Sequence, residues 1–309
     1  VGYDSYRTVG NVAPGRKKVK TLIPQFQSGF SLVSFNKISR LRGGVKMPYA
    51  TGDGAQIYWR EEGEGEPLLL IMGLGCSSDL WHRTAPELSL GYRTILFDNR
   101  GVGRSDVPPG PYSIPQMADD AAAVLDAAGI ESAHVFGYSM GGMIAQELAL
   151  QHPLRVRSLI LGSTSCGGGH GVLAAPEVLN TLMTRVSDPV EAFWAMAPYL
   201  YDATTPREKL EEDLEARSLS FPGLEGYLAQ IQAVMAWESY GRLSSLKVPT
   251  LVIHGETDQL VPQQNAAILA KEIPGAKLVT IAGAGHILLT DKRQEANGAI
   301  LSFLNDVCV

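Results

Sequence analysis

"HVFGYSMGGMIAQ", residues 134–146, sets one serine between close-spaced glycines where an apolar run gives way to residues recurring with helical spacing. Gly137-Tyr138-Ser139-Met140-Gly141 is a G-x-S-x-G pattern. At a strand-to-helix turn, such a serine is forced into strained torsions and its hydroxyl stands clear of the backbone. The turn also points the positive end of the following helix, with the Met140 N–H, at whatever the serine attacks. Alone, the pattern fits an ordinary tight glycine turn equally well.

The segments around it decide between these readings. "PLLLIMG", "RTILFDN", "AHVFGYS", "RVRSLILGS", "TLVIHGE" and "KLVTIAG" are short apolar or β-branched runs closed by turn residues, and "QIYWREEG" before them has the pattern of an early antiparallel strand. Helical patterns separate most of them, for example around Met117 to Ala128 and Met143 to Leu150. This alternation predicts an α/β fold, a mostly parallel twisted sheet with helices on both faces. Residues 166–245 interrupt the rhythm: they open with "CGGGHGV" and carry Trp194, Met196, Tyr199, Leu200, Met235 and Trp237 at largely helical spacings. We expect a helical cap there, inserted in a core made of residues 47–165 and 246–309.

A serine hydroxyl needs a base to take its proton and an acid to orient that base. "LVIHGETDQLVP" places Asp258 in the loop after one strand, and "LVTIAGAGHILL" places His286 in the loop after the next. Both belong to the carboxyl edge of the sheet, from which Ser139 also projects and where open α/β sheets bind ligands. Glu256 is the rival acid, but it lies closer to the strand end, with less reach. Of the other histidines, His82, His134, His152 and His170 read as surface or core residues, and His254 as a residue ordering the backbone of its turn.

Composition limits the alternatives. The 309 residues are 45% hydrophobic and 19% charged, and no apolar run approaches the ~20 residues needed to span a bilayer. Cys76, Cys166 and Cys308 are odd in number and widely spaced, without a ligand pattern, which predicts reduced thiols, no metal site and a cytoplasmic protein. The net charge of −6 is uneven: residues 1–46 hold nine Lys/Arg against the single acid Asp4. No methionine precedes Met47, so residues 1–46 read as a basic N-terminal extension without a catalytic part. An acidic body without a basic aromatic motif argues against nucleic acid as a partner.

With these residues in place, the stretch from Tyr49 to Val309 resembles the α/β-hydrolase superfamily, in particular its esterase, enol-lactonase and perhydrolase-like members, through "MGLG", "DNRGVGRSD", "GYSMGG", "HGETD" and "GAGH", all in order. The resemblance implies an α/β-hydrolase fold, a Ser139–Asp258–His286 triad and an oxyanion hole made by the backbone N–H groups of Met140 and Leu74. Met72-Gly73 stands where members usually have His-Gly. The hole uses backbone groups, so that difference bears on packing behind the loop rather than on chemistry. A serine nucleophile also sets the chain apart from the epoxide-hydrolase and dehalogenase branches, which attack with aspartate.

The competing reading is a dinucleotide-binding protein, since Gly73-Leu74-Gly75 follows a strand and Asp98 ends the next one about 20 residues on. Ser78 stands where the third glycine belongs, and this reading leaves Ser139, Asp258 and His286 unexplained. The expected function is therefore hydrolysis of a small-molecule carboxylic ester of short to medium acyl length through an acyl-enzyme, with lactone opening or perhydrolysis as alternatives on the same triad. No cofactor and no membrane partner is implied, and the oligomeric state is open. Trp194, Trp237, Val261 and Ile287 are the expected walls of the substrate pocket.

Overall fold

The computed structural model describes residues 48–184, 188–220 and 223–307. The basic extension read at residues 1–46, and Cys308, lie outside them. Eight strands form one sheet: β1 (Tyr49–Gly52), β2 (Ala55–Glu62), β3 (Glu66–Ile71), β4 (Tyr92–Phe97), β5 (Ala133–Tyr138), β6 (Val156–Gly162), β7 (Thr250–Gly255) and β8 (Lys277–Ile281). Their spatial order is β1-β2-β4-β3-β5-β6-β7-β8, with β1/β2 and β2/β4 antiparallel and every other pair parallel. Each strand read from the sequence is present, and β1 is added in front of them. The chain runs outward from β3 to β4 and then crosses back to β5 on the other side of β3. The loops after β3 and β5 therefore diverge at the switch point, where such sheets hold their ligands.

Strand periodicity fills both faces. In β5, Val135 joins a cluster with Leu125, Ile144 and Leu148, whereas its neighbour Phe136 packs with Trp81, Leu88 and Ile300 on the opposite face. The first cluster is covered by the helices Ile114–Ala127 and Met140–Gln151, the second by Arg293–Val307. Between β6 and β7 lie the helices Pro176–Met183, Pro189–Leu200, Arg207–Ser218 and Leu224–Ala236. They bring a small core of their own around Phe193, Leu200 and Tyr201.

One buried ion pair anchors the loop after β4. Arg100 and Asp120, 2% and 1% exposed, make a two-pronged contact at 2.6 and 2.7 Å. Burial pushes the Asp120 carboxyl up, and Arg100 offsets this only in part. The neighbouring Asn99 donates from Nδ2 to the Met72 carbonyl at 2.9 Å, so the anchored loop also fixes the chain after β3. Asp120→Asn strands a buried guanidinium and is expected to destabilise the fold by about 3–5 kcal/mol. A urea midpoint within error of the parent, at equal m-value, would contradict this.

Candidate active site

Ser139 leaves β5 with φ 56° and ψ −122°, left-handed torsions that a serine adopts only under constraint. Its backbone supplies the constraint: the Ser139 N–H donates to Gly162 O at 2.8 Å, and its carbonyl accepts from Thr164 Oγ1 at 2.7 Å. The two flanking glycines allow the close passage. A Cβ on Gly137 would collide with the Gly141 carbonyl, and one on Gly141 with the Ile71 carbonyl of β3. Gly73, in the loop after β3, lies directly against the Ser139 side chain.

Asp258 and His286 arrive in two adjacent loops that are laced together. Glu256 N–H donates to Ile281 O at 3.0 Å and Thr257 N–H to Ala284 O at 2.9 Å. Asp258 Oδ1 accepts the backbone N–H groups of Leu260 and Val261 at 3.0 and 2.8 Å, which leaves Oδ2 for the imidazole. His286 Nδ1 donates to Oδ2 at 2.8 Å, and its Nε2 lies 3.1 Å from Ser139 Oγ. A carboxylate can only accept, so the proton sits on Nδ1 and the Nε2 lone pair faces the serine hydroxyl. Glu256 is exposed and accepts from the Gly283 N–H instead, so it is Asp258 that meets the base.

Two side chains to which the sequence reading gave no part in the relay hold it in place. His254, fully buried in β7, points Nε2 at Val261 O at 2.8 Å and at Asp258 Oδ2 at 3.2 Å. A backbone-ordering part was expected of it, and its contact with the acid was not. Burial acts to raise the Asp258 carboxyl, but the neighbouring His286 and His254 outweigh it and hold the group down at about 2. The carboxylate is therefore charged at neutral and mildly acidic pH. Tyr138, beside the serine, sends its hydroxyl to the His286 carbonyl and accepts the Leu288 N–H at 3.1 Å, fixing the histidine loop at both ends. Burial raises this phenol, which keeps it a neutral donor.

A cavity of 440 Å³ opens over the relay, with Ser139, His286, Leu74 and Ile287 in its walls. The other three expected wall residues are elsewhere. Trp194 turns away from the cavity and stacks under the Arg207 guanidinium at 4.4 Å, while Phe193 beside it faces in. Trp237 is buried in the main core and donates from Nε1 to Glu147 Oε2 at 2.7 Å. Val261 contributes backbone to Asp258 and His254, and its neighbour Leu260 is the wall residue. Helical spacing identifies a stripe but not which neighbour it faces, and this is why the two tryptophans were misplaced.

The loop after β3 is held from above as well. Gln230 of the helix Leu224–Ala236 is fully buried; its Oε1 accepts the Gly75 N–H and its Nε2 donates to Arg100 O, both at 2.8 Å. The Asp98 carboxylate, the ribose-binding acid of the dinucleotide reading, is occupied by the backbone N–H groups of Ser78 and Arg104 at 2.7 and 2.8 Å. His134 bonds Ser158, His152 bonds Asp119, His170 stacks on Tyr240, and His82 borders the cavity 3.4 Å from Asp213. Among the described residues no cluster of three or more His, Cys, Asp or Glu is placed to hold a metal ion, and no helix is long and apolar enough to cross a membrane.

A family model described as the alpha/beta hydrolase fold matches residues 66–185 and 223–292. The chain belongs to the α/β-hydrolase family. Among its relatives, a protein named as a carbamate hydrolase, RutD, of Azorhizobium caulinodans is 34% identical over 84% of this chain and 99% of that one. Among solved structures of the family, Est816, described as an N-acyl homoserine lactone degrading enzyme, is 32% identical with a TM-score of 0.71, over 83% of this chain and all of that one. The enol-lactonase of Burkholderia xenovorans LB400 is 26% identical with a TM-score of 0.74, over 84% of this chain and 100% of that one. These α/β-hydrolase relatives are hydrolases, and this chain is a hydrolase.

Proposed function

We propose that the chain hydrolyses small carboxylic esters through an acyl-enzyme on Ser139. The observation that carries this reading is the continuous relay from Ser139 Oγ through His286 to Asp258, with the serine end open to the cavity. His286 Nε2 takes the hydroxyl proton as Oγ attacks the ester carbonyl, and Asp258 stabilises the imidazolium that forms. The backbone N–H groups of Leu74 and Met140 receive the oxyanion, and collapse of the tetrahedral intermediate expels the alcohol with the proton from His286. Water enters by the same route in reverse and releases the acid.

Cavity size sets the expected acyl preference. Each methylene buried adds about 0.8 kcal/mol, or about fourfold in kcat/KM, until the walls are met. Across p-nitrophenyl esters from C2 to C16, kcat/KM is expected to peak between C4 and C6. A maximum at C12 or longer rejects the small-ester reading.

The relatives named as carbamate- and lactone-cleaving support a second reading on the same serine, because both substrates present an acyl carbon to the same attack. Rapid cleavage of a lactone or carbamate with negligible turnover of every linear ester would favour it. Perhydrolysis shares the acyl-enzyme and is read by adding peroxide to the same assay.

A further inference from the structure

One cation in the cavity wall has no hydrogen-bonded counter-ion. Arg217, in the last turn of the helix Arg207–Ser218, lines the same cavity as Ser139 and His286. Its Nε is buried without a hydrogen-bond partner, and the Asp213 carboxylate acts on it only through space. The nearest family of charges is already satisfied. Asp213, one helical turn earlier, takes Arg83 Nε at 2.8 Å, Thr290 Oγ1 at 2.7 Å and Tyr201 OH at 3.0 Å, while Arg83 also engages Glu212 at 2.8 Å. Arg83 thus answers two carboxylates, and neither of them is hydrogen-bonded to Arg217.

An arginine cannot shed this charge at any pH the protein meets, and a buried guanidinium N–H without an acceptor is costly to maintain. The side chain is also held in place, with the guanidinium carbon 5.9 Å from the centre of the Phe193 ring, another wall residue. A planar fork of donors in the wall of a cavity of this size fits one ligand chemistry well, a carboxylate.

From this we infer that the substrate is itself an anion: a small ester, or its lactone or carbamate equivalent, bearing a free carboxylate that Arg217 grips while Ser139 attacks the acyl carbon. The inference rests on the hydrolase reading above and narrows its substrate class. The cavity wall agrees with it, since Phe193, Leu74, Ile231 and Met196 give the body of the molecule an apolar lining, while the wall's Asp213 and Arg83 are already bonded to each other.

Matched ester pairs test the inference and separate the two places where the carboxylate could sit. For the acyl side, the mono-p-nitrophenyl ester of hexanedioic acid is compared with p-nitrophenyl hexanoate. For the alcohol side, the acetate ester of 4-hydroxybenzoate is compared with that of its methyl ester. In at least one pair the parent enzyme is expected to prefer the anion in kcat/KM, and Arg217→Met is expected to lower that anion-to-neutral ratio at least tenfold. Arg217→Lys should restore part of it. Neutral esters turned over with neither pair responding to Arg217 would overturn the carboxylate subsite and leave the ester reading standing. If no ester at all is turned over, the ester reading falls, and calorimetry with hexanedioate decides the subsite: binding at least tenfold weaker in Arg217→Met supports it, and equal or absent binding in both proteins overturns it.

Discussion

Alanine at position 139 is expected to lower kcat/KM for p-nitrophenyl butyrate by about 10³-fold or more while the protein still unfolds cooperatively. The loss is large because the oxygen that forms the acyl bond is gone, and water must then be activated by a histidine aligned for a different atom. The backbone of the turn is held by the Gly162 and Thr164 hydrogen bonds, which do not involve Oγ, so the elbow persists. Mass spectrometry after treatment with an alkyl phosphonate should find one adduct in the parent protein, on the peptide containing Ser139, and none in the variant. A folded Ser139→Ala protein turning over at close to the parent rate would sink the covalent mechanism.

Asp258→Asn is expected to cost about 10³–10⁴-fold in kcat. Oδ1 can still accept the Leu260 and Val261 N–H groups, so the amide nitrogen falls where Oδ2 was, facing His286 Nδ1. A donor there favours the imidazole tautomer with its proton on Nε2, which cannot take one from Ser139. Glu256→Gln is the control, since Glu256 reaches only the Gly283 N–H, and its kcat should stay within about threefold of the parent. A reversal of the two effects would move the acid to position 256. The carboxyl also links stability to pH. Its folded value, about 2, lies below the 3.8 of a free aspartate, so its contribution is complete above pH 4 and drains away as pH falls towards 2. Acid unfolding of the Asp258→Asn variant should lack this component.

The relay was legible in the sequence because each member sits just past the end of an apolar strand, and parallel strands bring all such loops to one edge. The strand "TLVIHGE" and its successor announce themselves by composition, and Asp258 and His286 follow at once. The walls of the cavity were less legible. Trp194 and Phe193 are sequence neighbours on one helix, and only the packing of that helix decides which of them faces in. Arg217 was hidden for a different reason. In "REKLEEDLEARS" it is one charge among many and reads as part of a solvated face, whereas what distinguishes it is the lack of a partner, a property of the tertiary structure. Tyr138 was hidden in plain view, occupying a variable position of the G-x-S-x-G pattern while its hydroxyl secures a loop 148 residues away.

Gln230 ties the helix over the cavity to the loop beneath it. A single amide joins the helix Leu224–Ala236 to Gly75 and to Arg100, so that helix cannot lift without giving up the hydrogen bond that steadies the chain beside Leu74. One side chain thus makes the roof of the cavity and its floor a single mechanical unit, and its removal would uncouple the two.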